Sequence, residues 1–130
     1  MRTATMILIA AIALLHFYIA WFEMFAWQTR GPQVFTTFPA DLFAQTVQMA
    51  ANQGLYNAFL AAGLVWSLLI KEAKWQTNVA ACFLVFVAVA GIFGAATVTI
   101  KTLLLQTVPA VAALILLYQS RKITGLGTEP

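Results

Sequence analysis

Residues 76–118 form a run of 43 residues with a single charged side chain, Lys101. A helix crosses a bilayer core of about 30 Å with about 20 apolar residues, so this run is too long for one span and suits two joined by a tight turn. Charged residues make up 8% of the chain, against roughly 25% in a soluble domain. The chain is therefore predicted to fold in lipid.

Two further apolar runs precede this stretch, and the pattern predicts an all-α, polytopic membrane protein with four transmembrane helices in a compact bundle. Residues 1–130 are expected to form a single membrane domain that ends in a polar tail, residues 119–130. The four spans are expected at about 5–27, 54–70, 76–97 and 102–118.

The connection between the first two spans is long, and Gly31, Pro32 and Pro39 are expected to break helical structure there. From about Pro39, polar residues recur at the three- and four-residue spacing of an amphipathic helix, with apolar residues between them: Gln45, Gln48 and Asn52. This segment either lies at the membrane interface or runs into the second span as one long helix. The third span carries small residues four apart, which serve either internal helix packing or a homodimer.

Basic residues predict the orientation of the spans in the plasma (inner) membrane. Five of them fall on one side of the four-span layout, namely Arg2, Lys71, Lys74, Arg121 and Lys122, and two fall on the other, Arg30 and Lys101. The positive-inside tendency then places both termini in the cytoplasm. Because these residues form no basic stripe or patch, the expected partner is the lipid bilayer and not a nucleic acid.

The strongly polar residues of the spans collect in the half predicted to lie nearer the outside. They are His16, Glu23, Asn52, Gln53, Tyr56, Asn57, Lys101 and Gln106. His16 and Glu23 are seven residues apart, nearly two helical turns, so they project from the same side of the first span. Because ionisable groups inside a membrane are costly and by default suggest function, the sequence predicts an outward-facing polar pocket formed by these side chains.

Three functions fit such a pocket. In the leading hypothesis the protein binds a small polar or amphiphilic molecule there, and proton exchange at Glu23 and His16 extends this to transport. In the second, His16 and Glu23 act as acid and base of an enzyme on a lipid or isoprenoid. In the third, the protein is a non-catalytic assembly partner in the membrane, and the polar groups bind its own helices or another subunit.

The sequence predicts no cofactor, and no catalytic residue is assigned. It has no glycine-rich phosphate loop, no nucleophile elbow and no paired catalytic carboxylates. One histidine and one cysteine, Cys82, do not make a metal site.

Four segments resemble those of a known family, the small bacterial four-helix membrane proteins classed as domain of unknown function 1304. The segments are HFYIAWFEMFAWQTRG (16–31), MAANQGLYNAFLAAGL (49–64), AGIFGAATV (90–98) and LLLQTVPAVAAL (103–114). The resemblance implies a four-span protein and marks most of the polar residues named above as signature positions. It implies no particular function.

Overall fold

The described part of the chain is helical apart from short connections. The structure is a computed structural model that describes residue 1 and residues 3–125, with side chains up to residue 120. In chain order its elements are α1 Thr3–Phe25, α2 Trp27–Val34, α3 Ala40–Gln45, α4 Val47–Leu69, α5 Ala73–Thr97, a π-helical segment Leu103–Thr107 and α6 Val108–Gly125. No strand occurs among these residues, so the predicted all-α class is confirmed.

Three helices are long and apolar enough to cross a membrane: Thr3–Phe25, Ala73–Thr97 and Leu103–Ser120. They indicate a membrane protein, as the composition predicts. With 23 residues α4 is as long as α1, but Asn52, Gln53 and Asn57 in its first half make it less apolar. By length and composition, three of the four predicted spans are therefore supported.

The connection between α1 and α4 is folded. α2 runs through Gly31 and Pro32, so the prediction that these two residues break the helix is wrong, whereas Pro39 does precede the start of a new helix. The buried ring of Phe43 occupies the space that a side chain at residue 31 would need. This packing explains why residue 31 of α2 is a glycine.

Thr46 separates α3 from α4. Its hydroxyl accepts a hydrogen bond from Trp27 Nε1 at 2.9 Å and donates one to Leu42 O at 2.7 Å. Its backbone leaves the helical region, with φ −111° and ψ 12°. The amphipathic segment is therefore divided: α3 is a separate helix, and residues 47–53 continue into α4.

The end of the molecule that carries residues 26–46 is called the first-loop end, and the end that carries residues 70–72 the second-loop end. At the second-loop end Glu72 caps α5, because its carboxylate accepts hydrogen bonds from the backbone N–H groups of Lys74 and Trp75. α6 runs on to Gly125, so the tail predicted from residue 119 is helical at its start. Residues 119–124 contain no proline or glycine, and residues 126–130 lie outside the described part.

One apolar core joins α1, α4, α5 and α6. Its enclosed members are Ile9, Ile12, Ala13, Leu64, Ala80, Leu84, Val87, Ala88, Ala110, Ala113 and Leu117. Many large apolar side chains face outward instead, including Leu14, Phe93 and Leu104. Exposed apolar surface of this extent is typical of contact with a membrane.

The last long helix starts with a π-helical turn, next to Pro109. Val108 N–H donates to Leu103 O, five residues earlier. Thr107 Oγ1 donates to Ala88 O of α5 at 3.0 Å and lies where a side chain at Gly91 would be. Part of the small-residue strip on α5 thus packs inside the molecule, and its use in a homodimer stays a prediction.

Candidate functional site

Glu23 and Asn57 meet between α1 and α4. Asn57 Nδ2 donates to Glu23 Oε2 at 2.9 Å and also lies 3.3 Å from Gln53 O. Asn57 is buried and Glu23 is half-buried. We call this pair, at the first-loop end, the carboxylate–amide pair. Within the described residues no basic side chain pairs with Glu23, so the carboxylate is held by a neutral amide in an apolar setting.

Gly54 lets the two helices approach closely enough for this bond. A Cβ at this position would lie 2.7 Å from Met24 Cγ and 2.9 Å from the backbone oxygen of Ala20. Asn57 follows less than one turn later on α4 and has a short side chain. Small residues allow membrane helices to pack closely, and here the close packing brings the amide to Glu23.

Replacing Gly54 with alanine should lower the free energy of unfolding by about 2 kcal/mol, because the backbone oxygen of Ala20 cannot move aside without shifting α1. Gly94→Ala is the matched control: its Cβ would meet Thr102 Oγ1 at 3.1 Å, and a side chain can adjust. Unfolding of both variants in detergent is followed by the loss of the helical circular dichroism signal, which gives the free energy of unfolding. Equal losses of stability in Gly54→Ala and Gly94→Ala would contradict the close approach of the two helices at Gly54.

His16 is fully buried on α1, two turns before Glu23. Its Nδ1 lies 2.9 Å from Ile12 O, and because a carbonyl oxygen only accepts, Nδ1 carries the hydrogen. Nε2 is then an acceptor, enclosed and without a hydrogen-bond partner within the described residues. Seven residues along a helix correspond to about 10 Å, so His16 and Glu23 do not touch.

Replacing His16 with leucine should raise the free energy of unfolding by about 1 kcal/mol, because it removes an unpaired buried acceptor and keeps a side chain of similar size. Ser67→Ala is the control, since Ser67 is equally buried but donates to Leu64 O at 2.6 Å. Thermal unfolding in detergent measures the change. A clear loss of stability in His16→Leu would mean that Nε2 has a partner, such as a buried water molecule.

No other predicted site residue bonds to this pair through its side chain in the described structure. Asn52, Gln53 and Tyr56 are exposed on α4, and Gln53 contributes its backbone oxygen rather than its amide. Gln106 is half-buried in the π-helical segment beside Gly91, and Lys101 is exposed where the last helix begins. The structure thus brings together Glu23 and Asn57 out of the eight predicted residues.

An aromatic cluster at the first-loop end was not predicted from the sequence. Trp27 is its centre, with ring centroids 5.1 Å from Phe43, 5.7 Å from Phe35 and 5.9 Å from Phe22. Phe35 also stacks on Phe38 at 5.6 Å. The signal was present as a high density of aromatic residues between positions 22 and 43. The cluster closes residues 26–46 over one end of the molecule.

Two surface grooves lie away from the carboxylate–amide pair. One, of about 500 Å³, lies at the second-loop end and is lined by Trp66, Ile70, Lys71, Glu72 and Trp75. The other, of about 230 Å³, continues along α5 towards Cys82. Among the described residues no three His, Cys, Asp or Glu side chains come together as metal ligands do.

The fold and the site define a small all-helical protein with candidate membrane helices and a carboxylate–amide pair between two of its helices. The chain belongs to the family of proteins of unknown function designated DUF1304, whose sequence model matches residues 10–118. It is 31% identical over 117 residues to an uncharacterised protein, YpaA, of Lactococcus lactis subsp. lactis strain IL1403. That alignment covers 88% of this chain and 97% of the relative. No solved structure matches the chain.

Proposed function

We propose that the protein is an integral membrane protein of the bacterial plasma membrane with four spans. These are the three apolar helices and, in addition, α4. The 23 residues of α4 extend about 35 Å, more than the hydrocarbon core of a bilayer. Its buried Leu64 belongs to the same core as Ile9 and Ile12 of α1. Asn52, Gln53 and Tyr56 would then lie near the outer interface, where exposed polar groups meet water.

In this arrangement the carboxylate–amide pair is an outward-facing site that binds a small polar or amphiphilic molecule. The observation that carries the proposal is the bond from Asn57 to Glu23, because Glu23 is the sole carboxylate of the three apolar helices and α4 adds none. A carboxylate in a membrane helix is costly, and such groups are typical of sites for ligands and protons. Basic residues near the second-loop end support a cytoplasmic location for both termini.

Proton exchange at Glu23 extends the proposal to transport, with His16 as a deeper group on the same side of α1. The enzyme hypothesis receives less support, because His16 is enclosed and about two helical turns from Glu23. The assembly-partner hypothesis has one observation in its favour, since the carboxylate–amide pair itself joins α1 to α4. The ligand-binding hypothesis and the assembly-partner hypothesis differ in whether Glu23 binds a ligand.

The test uses the full chain in detergent with hexylammonium, hexanamide and hexanoate, which share a six-carbon tail and differ in charge. A bound ligand raises the melting temperature of the folded protein. We expect at least one compound to raise it in the wild type and not in Glu23→Gln, which keeps the shape of the side chain. In liposomes the same compound should drive proton movement that this variant lacks. If no compound acts through Glu23, the pair is a structural contact.

A further inference from the structure

The carboxylate–amide pair presents two acceptor oxygens that the protein does not use. Asn57 Nδ2 donates to Glu23 Oε2. Within the described residues neither Glu23 Oε1 nor Asn57 Oδ1 accepts a hydrogen bond. Neither atom is enclosed, in contrast to His16 Nε2. Each belongs to a side-chain group that takes part in the 2.9 Å bond, so the two free acceptors belong to one contact between α1 and α4.

The charge and the hydrogen-bonding capacity of these atoms indicate which ligand groups the site can bind. A carboxylate is an acceptor, and the amide has used an N–H in the pair, so the open positions of the site call for donors. The carboxylate also lacks a basic partner among the described residues. A buried charge is stabilised by an opposite charge that also supplies hydrogen bonds.

Building on the proposed function, we infer that the ligand carries a primary ammonium group, whose N–H donors bind Glu23 Oε1 and Asn57 Oδ1 together. A quaternary ammonium group supplies the same charge and no donor. An alcohol supplies one donor and no charge. The site should distinguish the three, because hydrogen bonds between charged partners are stronger than neutral ones.

The experiment is isothermal titration of the full chain in phosphatidylcholine nanodiscs with hexylammonium, hexyltrimethylammonium and hexanol. On the wild type we expect hexylammonium to bind at least about tenfold more tightly than either of the others. Glu23→Gln should weaken hexylammonium binding by about tenfold or more. Asp41→Asn is the matched control, because it removes an exposed carboxylate of α3 and should leave binding unchanged.

Equal affinity of the wild type for hexylammonium and hexyltrimethylammonium would overturn the inference, and this comparison needs no variant that must fold. Equal hexylammonium binding by wild type and Glu23→Gln would overturn it as well. If hexanamide or hexanoate acts through Glu23 while hexylammonium does not, the inference falls and the proposed function stands. If none of these compounds acts through Glu23, both fall.

Discussion

Replacing Trp27 with alanine should make trypsin cleave after Arg30 about 100-fold faster, because the aromatic cluster holds α2 closed. Trp27 contacts three phenylalanine rings and donates its Nε1–H to Thr46. Loss of a large side chain from such a cluster costs about 3 kcal/mol, which corresponds to about 100-fold in the population of the opened segment.

Arg30 is a suitable reporter of this opening. It is exposed but lies within α2, and its guanidinium carbon is 5.2 Å from the centre of the Trp21 ring. A protease needs an extended chain, so cleavage follows the fraction of molecules in which α2 is locally unfolded. The rate of appearance of the fragment that starts at Gly31 measures that fraction in detergent.

Two variants separate the contributions to this effect. Trp27→Phe keeps an aromatic ring and removes the donor to Thr46, so cleavage should rise by roughly fivefold, the value of one hydrogen bond. Trp66→Ala removes an exposed tryptophan far from the first-loop end and should leave cleavage after Arg30 unchanged. If trypsin cleaves Trp27→Ala after Arg30 at the wild-type rate, α2 is held by other contacts.

The long helices were predictable from sequence because lipid imposes a simple rule on composition. Runs such as residues 76–118 are too long for one span and favour two long helices with a turn between them. The short helices α2 and α3 were not predictable in the same way. Gly31 and Pro32 disfavour a helix locally, and Phe43, whose ring packs against Gly31, lies twelve residues later in the sequence.

The members of the candidate site were predictable, but their pairing was not. Glu23 and Asn57 are separated by 34 residues, and the spacing of Asn52, Gln53, Tyr56 and Asn57 leaves open which strip of α4 faces α1. A usable signal was the small residues in the same strip as Asn57. Ala50, Gly54 and Ala61 are buried together with it, and small residues mark the face where helices approach each other.

Replacing Asn57 with aspartate should lower the free energy of unfolding by about 3 kcal/mol at neutral pH. The change is isosteric, so packing is preserved, but the donor of the 2.9 Å bond becomes a second carboxylate facing the first. Stability should rise again as the pH falls. A single proton between the two carboxyl groups restores a hydrogen bond in the folded state, so the folded variant binds protons that the unfolded chain releases. Thermal unfolding measured from neutral pH down to about pH 4, the ordinary pKa of a carboxyl group, follows this recovery.

Asn52→Asp provides the matched control, because it adds the same charge to the same helix at an exposed position. Its effect should stay within about 0.5 kcal/mol, without recovery at low pH. A loss as large as that of Asn57→Asp would show that any added charge in α4 destabilises the protein.

The double variant Glu23→Gln with Asn57→Asp tests the pair itself, because it exchanges donor and acceptor. The glutamine amide can donate to the aspartate, so the bond between α1 and α4 is retained with the carboxylate moved to α4. We expect stability within about 1 kcal/mol of the wild type, a rescue that two independent sites would not show. If the double variant is as unstable as Asn57→Asp alone, the two side chains are not coupled. If it is rescued, hexylammonium titration shows whether binding needs the carboxylate on α1 or accepts it on either helix of the pair.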